Sequence, residues 1–190
     1  MFKAGLKFFG VVALASGFAV CGLAPTVLLA GASAQSTGNV PASVARLTVR
    51  ELAGTWVEPV TVSDDGDVIT RGSENIVEIT SDGRFNDALE IQFTFRSIPD
   101  FDGLYRFTSE GRIFIASGKI TWAVEDAEVV PVFPSNASAE KRAAMNYLAA
   151  ELGKGMLEAE TYPMLSYDGN QLVMNAGGAD DIDEYVMTRR

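Results

Sequence analysis

Four carboxylates near the end of the chain have the close spacing that acid–base chemistry uses: Asp180, Asp181, Asp183 and Glu184. Such chemistry needs one carboxyl group held neutral while another is ionised. These four lie in or beside a Gly- and Asp-rich stretch, 176–183, where solvent is expected to keep all of them ionised. The chain has no His, and its one Cys is Cys21, which leaves no Ser-His, Cys-His or His-metal arrangement. We therefore predict that the protein is not an enzyme and has no catalytic residue, metal site or cofactor.

Aromatic residues recur at every second position in stretches that have the composition of β-strands. Because side chains at i and i+2 lie on one face of a strand, such rings gather on the same side of a sheet. We predict that a small apolar or amphipathic ligand would be contacted by Phe93, Phe95, Tyr105, Phe107, Trp122 and Tyr162. The alternative interpretation is that the same rings fill the interior of the sheet and contact no ligand.

The stretch that must position these rings is 75–95, NIVEITSDGRFNDALEIQFTF, which has the pattern of two strands joined by a tight turn. Asp82 and Gly83 tolerate the positive φ that such a turn needs. From Leu89 to Phe95 apolar residues alternate with polar ones, so one face is apolar and the other is solvated. A single hairpin cannot bury this face, so further strands must cover it.

The other predicted strands follow at short intervals along the chain. They are 53–60, 104–108, 112–116, 120–124, 157–164, 171–175 and 184–189. We predict that 104–108 and 112–116 form a second hairpin, turning at Ser109-Glu110-Gly111. The hydrophobic period becomes helical from Ser138 to Leu152. About eight short antiparallel strands predict an all-β barrel or sandwich with one inserted helix near 138–152.

The first 34 residues have the features of an export signal. Lys3 and Lys7 precede a long apolar run, and Ala32-Ser33-Ala34 forms a small-residue cleavage site. An uncleaved membrane anchor is the alternative, because the apolar run reaches the ~20 residues that span a bilayer. We predict a signal peptide at 1–34, a flexible leader at 35–46 and one domain at 47–190, located in the periplasm or outside the cell.

Acidic residues dominate the charge of the chain, with 25 Asp and Glu against 15 Lys and Arg. Two of the basic residues and none of the acidic ones lie in the predicted signal, so its removal leaves a net charge of −12. Such a surface repels nucleic acid and anionic lipid headgroups. We therefore predict no nucleic-acid partner, and no membrane span once the signal is removed.

Four short segments carry a family resemblance: LAGTW at 52–56, ITSDGRF at 79–85, LSYDGNQLV at 165–173 and EYVMTR at 184–189. Together they resemble the bacterial lipocalin-like domains of the calycin type. The resemblance implies an antiparallel lipocalin-like barrel in which Trp56 plugs one end and a basic residue, Arg189 or Arg190, crosses the indole ring. The predicted helix departs from the family pattern because it precedes the last strands.

Two functions stay open from the sequence. The first is an exported lipocalin-like protein that binds a small apolar or amphipathic ligand inside the barrel. The alternative is a cell-envelope interaction or accessory module with a filled barrel, contacting a protein partner through two acidic loops, 63–72 and 176–183.

Overall fold

The computed structural model describes residues 41–177 and 183–190. The predicted signal peptide and residues 35–40 of the predicted leader lie outside the described residues. The strands are β1 (Gly54–Glu58), β2 (Val62–Asp64), β3 (Val68–Gly72), β4 (Asn75–Ile79), β5 (Arg84–Phe95), β6 (Gly103–Ala116), β7 (Lys119–Val132), β8 (Glu160–Tyr167), β9 (Gln171–Asn175) and β10 (Glu184–Arg189). The helices are α1 (Ala42–Ala45) and α2 (Ala139–Gly155), with short 3₁₀ turns at Val49–Leu52 and Pro99–Phe101.

Eight of the ten described strands close into one antiparallel barrel, which confirms the predicted all-β fold with one main helix. The order around the barrel is β1, β4, β5, β6, β7, β8, β9 and β10, and β10 pairs back with β1. Strands β2 and β3 form a separate hairpin, which extends the sheet because β3 pairs with the second half of β5. The closed barrel gives its strands a shared inner face, to which every second residue contributes.

The predicted central hairpin is confirmed. Strands β4 and β5 pair from Ile79 opposite Phe85 to Ile76 opposite Ala88. Gly83 in the turn has a φ of 85°, a conformation that residues with a Cβ rarely adopt. Along β5 the buried residues alternate with exposed ones, as the sequence pattern predicted. This strand contacts three others and therefore contributes more of the barrel wall than any short strand does.

The predicted second hairpin is wrong, because residues 103–116 form one continuous strand, β6. Gly111 was interpreted as a turn residue, but it lies within the strand, where the neighbouring strand β7 passes very close. A Cβ at this position would lie 2.1 Å from the carbonyl oxygen of Ala123. The register of β6 and β7 also shifts between Glu110 and Gly111, which marks a β-bulge. Gly111 is therefore needed for close approach, not for a turn.

The predicted acidic loop at 63–72 is also wrong, because most of it forms the β2–β3 hairpin. Only the turn between the two strands is acidic loop: Asp64 Oδ1 accepts a hydrogen bond from the Gly66 amide, and Asp65 Oδ1 accepts one from the Val68 amide. Asp64 also forms an exposed ion pair with Arg96 at 2.7 Å. Short side chains that bond to nearby amides favour tight turns, so the acidic residues here shape a hairpin.

The N-terminal segment closes the end of the barrel that holds Trp56. The indole is fully buried, and its Nε1 donates a hydrogen bond to the carbonyl oxygen of Leu52 at 2.7 Å. Val44, in α1, is also buried, so the packed domain begins before the predicted boundary at residue 47. The 3₁₀ turn that follows is held by Glu51, whose carboxylate accepts bonds from the amide and hydroxyl of Thr48.

Helix α2 covers the opposite end, where β5 ends and β6 begins. Its N-cap is Ser138, whose hydroxyl accepts a hydrogen bond from the Lys141 amide. Met145 is fully buried against Gly103 at the start of β6. Gly153 lies in the last turn of the helix, and a Cβ at this position would lie 3.8 Å from Val129 on β7. None of the helices in the described part of the chain is both long enough and apolar enough to span a bilayer.

Candidate functional site

A group of polar side chains lies inside the barrel, contributed by five different strands. We call it the polar layer, and its members are Glu58, Asn75, Asp87, Ser109 and Tyr185. Each of the first four is at most 5% exposed. Their positions follow from strand alternation, since each lies two residues from a buried apolar residue on its own strand. The polar layer therefore belongs to the inner face of the barrel.

Hydrogen bonds connect the polar layer into a network. Asn75 Nδ2 donates to Glu58 Oε2 at 2.6 Å, and the Ser109 hydroxyl donates to Asp87 Oδ1 at 2.5 Å. The Tyr185 hydroxyl donates to Glu58, and the Asn75 amide also lies close enough to Asp87 to affect its carboxyl group. Asn75 therefore lies between the two acids and joins β1, β4 and β5 through side chains.

Two atoms of the polar layer remain without a partner in the described residues. They are Asn75 Oδ1 and Asp87 Oδ2, both buried oxygen atoms. Asn75 is completely buried and Asp87 is only 4% exposed. A buried polar group that makes no hydrogen bond costs about 1 to 3 kcal/mol, so such atoms in a folded protein call for a partner.

Burial shifts the protonation of both acids. It raises the pKa of Glu58 from its usual 4.5 to about 7, while the hydrogen bonds from Tyr185 and Asn75 act in the opposite direction. Burial also raises the pKa of Asp87, opposed by its hydrogen bond with Ser109 and by the nearby Asn75 amide. The charge of Asp87 adds to the shift at Glu58, so the two acids are close enough to influence each other.

The six aromatic residues predicted to contact a ligand fall into three groups. Phe93 forms the centre of the largest, with ring centroids 5.9 Å from Phe95, 5.5 Å from Tyr105 and 6.3 Å from Phe107. We call these four residues the ring cluster. Phe93, Tyr105 and Phe107 are buried, whereas Phe95 is partly buried.

The other two predicted residues lie elsewhere on the barrel wall. Trp122 packs edge-on against Phe85, near the end closed by the N-terminal segment. Tyr162 stacks on Tyr185, with ring centroids 6.3 Å apart, and its hydroxyl donates to Glu160. Tyr162 therefore borders the polar layer, not the ring cluster.

The predicted plug residues lie together at the closed end. The Arg189 guanidinium lies 4.7 Å from the centre of the Trp56 ring system. It also donates to the carbonyl oxygens of Ala53 at 2.9 Å and Glu51 at 2.6 Å. The aromatic ring of Tyr167 also packs near Trp56, with ring centroids 6.4 Å apart. These contacts are structural, since they tie the last strand to the N-terminal segment.

The polar layer was not predicted from the sequence, although the alternating pattern contains a signal for it. Asp87 is in phase with Phe85 and Leu89, so the alternation that buries those residues must also place Asp87 inside. Glu58 is likewise in phase with Trp56 on β1. The prediction of the inner face rested only on the apolar members of each alternating set.

Of the four C-terminal carboxylates, only Asp183 and Glu184 lie within the described residues. Asp180 and Asp181 lie outside the described residues, and Glu184 is exposed at the start of β10. Within residues 41–177 and 183–190, no group of three or more His, Cys, Asp or Glu side chains has an arrangement suited to a metal ion.

Neither the protein-family models nor the curated proteins compared with this chain give a match. The barrel is consistent with a calycin-like fold, and the narrower resemblance to lipocalin-like domains stays a prediction.

Proposed function

We propose that this chain is an exported, lipocalin-like protein that binds one small amphipathic molecule inside its barrel. The observation that carries the proposal is the pair of buried, unpartnered oxygen atoms, Asn75 Oδ1 and Asp87 Oδ2, on a wall that is otherwise largely apolar. Ligand sites are mostly apolar surfaces with a few polar groups that fix the orientation of the ligand. The inner face of this barrel has that composition.

The order of residues along the strands supports an amphipathic ligand. On β6 the inward residues are Tyr105, Phe107 and then Ser109, so the ring cluster is followed directly by the polar layer. On β5 the buried residues from Leu89 to Phe93 follow Asp87 in the same way. A molecule with an apolar body and a polar end would match both parts at once.

The experiment is a titration with Nile red, a neutral apolar dye whose emission rises in apolar surroundings. We expect saturable binding with one dye molecule per chain. Two variants on β6 test the location: Phe107→Leu changes a residue that is 1% exposed, and Phe114→Leu changes one that is 54% exposed on the outer face. The interior change should alter the dye affinity several-fold, while the exterior change should leave it unchanged.

Two outcomes would contradict this function. One is no saturable dye binding by the folded protein, with folding checked by circular dichroism. The other is an affinity that responds to Phe114→Leu and not to Phe107→Leu, which would place the dye on the outer surface. Native mass spectrometry of the purified protein gives an independent measurement, because a co-purified molecule appears as a fixed mass increment.

A protein-interaction role is the second candidate, and one observation favours it. Among the described residues, β2 pairs only with β3, so its other edge is open. Val60 and Val62 beside this edge are 63% and 60% exposed. An open strand edge can accept a strand from a partner. If it does, Val62→Lys should abolish co-purification of an envelope protein that the unchanged chain retains.

A further inference from the structure

We infer that the polar end of the ligand is a cation, such as a primary ammonium group, held between Asp87 and Asn75 beside Glu58. This inference rests on the proposed function and names the chemical class of the ligand. Its basis is the set of hydrogen-bond donors, acceptors and charges in the polar layer.

The donors of the polar layer are already used within it. The Asn75 amide and the Tyr185 hydroxyl donate to Glu58, and the Ser109 hydroxyl donates to Asp87. The two atoms that remain without a partner in the described residues, Asn75 Oδ1 and Asp87 Oδ2, are oxygen atoms that accept. A ligand that satisfies them must therefore bring hydrogen-bond donors. An ammonium group has three donors and no acceptor.

The charge of the polar layer also favours a cation. Every ion pair in the described part of the chain lies elsewhere: Arg96–Asp64, Arg106–Glu90, Arg112–Glu125 and Lys154–Glu151. Within residues 41–177 and 183–190, no Lys or Arg contributes to the pKa shift of Glu58 or Asp87. Buried carboxyl groups without a positive partner are costly when ionised. A ligand ammonium group would supply the missing positive charge.

Protonation of Asp87 is the alternative to a ligand ammonium group as the source of a hydrogen-bond donor in the polar layer. When Asp87 is protonated, its hydroxyl can donate to a neighbouring acceptor such as Asn75 Oδ1, and burial of Asp87 favours that form. The titratable groups that interact with it are Glu58 and Tyr185, and beyond them Tyr162 stacks on Tyr185 and donates to Glu160. The two tyrosine pKa values are raised by burial and by these acids, so both tyrosines stay neutral at ordinary pH. Proton and ammonium therefore compete, and raising the pH should favour the ammonium ligand.

The experiment compares three molecules with the same ring and nearly the same size: 2-phenylethylamine, 2-phenylethanol and phenylacetate. Isothermal titration calorimetry measures their binding to the purified chain at pH 8 and pH 5. We expect the amine to bind at least about tenfold more tightly than the alcohol at pH 8, because charge-assisted hydrogen bonds are stronger than neutral ones. We expect the acid to bind most weakly. At pH 5 the preference for the amine should shrink, while the affinity of the alcohol should stay constant.

Three variants test the residues. Asp87→Asn keeps the shape of the side chain and removes its charge, so the preference for the amine should fall to within about threefold. Glu58→Gln should reduce it in the same direction, and it provides a second reading should Asp87→Asn not fold. Glu78→Gln is the matched control, because Glu78 lies on β4 beside the same site but is exposed on the outer face. It should leave the preference unchanged.

The outcomes separate this inference from the proposed function. Suppose that Nile red binds but the protein does not bind the amine more tightly than the alcohol, either because the affinities are equal or because none of the three molecules binds. The inference of a cationic ligand is then wrong, and the proposed binding function stands. An amine preference that survives Asp87→Asn and Glu58→Gln also overturns the inference. Absence of any Nile red binding instead contradicts the proposed function itself.

Discussion

At the scale of single residues, Glu58 makes the free energy of unfolding depend on pH. Below its usual pKa of 4.5, both folded and unfolded chains hold the proton. Between 4.5 and about 7 only the folded chain holds it, so this residue's contribution to stability falls as the pH rises through that window. Above about 7 both states are ionised and the contribution is constant.

Glu58→Gln should remove this pH dependence. The shift in pKa corresponds to about 3 kcal/mol, so the variant should have a higher free energy of unfolding than the unchanged protein at pH 8, by up to that amount. At pH 4 the two proteins should be nearly equal. Urea unfolding at both pH values measures the difference, with Glu78→Gln as the exposed control. A Glu58→Gln effect of the same size at both pH values would contradict the assignment.

The contact between Arg189 and Trp56 leads to a second prediction at this scale. Arg189→Ala should lower the free energy of unfolding by about 2 to 3 kcal/mol, because it removes a cation–π contact and two hydrogen bonds to backbone carbonyls. Arg189→Lys should recover only part of this, since an ammonium group cannot span both carbonyls as the planar guanidinium does. Chemical unfolding followed by circular dichroism measures both variants.

The matched control for this contact is Arg71→Ala. Arg71 lies on β3 and is exposed, and its change should alter stability by no more than about 0.5 kcal/mol. Equal losses for Arg71→Ala and Arg189→Ala would mean that the contact with Trp56 contributes nothing specific.

The sequence predicted the apolar part of the candidate site better than the polar part. Phe93, Tyr105 and Phe107 were named because aromatic residues at alternating positions are conspicuous, and the structure brings their rings together. Asp87 and Glu58 have the same alternation, but a polar residue within a strand is usually assigned to the solvated face. Which acids come together also depends on pairing between distant strands, and no local pattern carries that information.

At the scale of elements, Gly111 in β6 and Gly153 in α2 should respond in opposite directions to the same change. Gly111→Ala should destabilise the protein by about 3 kcal/mol, because its Cβ would meet the backbone of β7. Gly153→Ala should stabilise it by about 0.5 to 1 kcal/mol, since this residue lies inside a helix and its Cβ would find ordinary contact with Val129 at 3.8 Å. Thermal unfolding of both variants gives the comparison. A mild effect at Gly111 would mean that the strand has room to shift.

The elements also show where local patterns mislead. The turn at Gly83 and the strands beside it were predicted correctly, because the loop residues and the alternation indicate the same structure. Ser109-Glu110-Gly111 has the composition of a turn as well, yet it continues β6. The deciding factor is that residues 109–111 of β6 pair on one side with β5 and are flanked on the other by pairing with β7, which is a tertiary effect. The prediction of a loop at 63–72 is wrong for a related reason, because strands as short as β2 and β3 contain too few residues to show a clear alternation.

At the scale of the whole molecule, the two ends of the barrel are closed by different means. Beside Trp56, the N-terminal segment is bonded to β1, β8 and β10 through backbone carbonyls. At the other end, β7 pairs with β8 only from Lys119 to Trp122, and α2 packs on β7 beyond that point. Side-chain packing, above all that of Met145, attaches the helix there, together with one exposed hydrogen bond from Lys141 Nζ to the Pro99 carbonyl oxygen at 3.2 Å. The helix end is therefore the more easily opened one.

Native-state hydrogen exchange tests this difference with one variant at each end. Met145→Ala and Leu52→Ala each truncate a fully buried side chain and should each cost about 2 to 5 kcal/mol. In Met145→Ala, amides of α2 and of the second half of β7 should exchange faster, while those of β1 and β4 keep their protection, because the helix can detach without unfolding the barrel. In Leu52→Ala, exchange should increase across the whole barrel. If both variants raise exchange uniformly, α2 unfolds only together with the barrel, and this end has no separate opening.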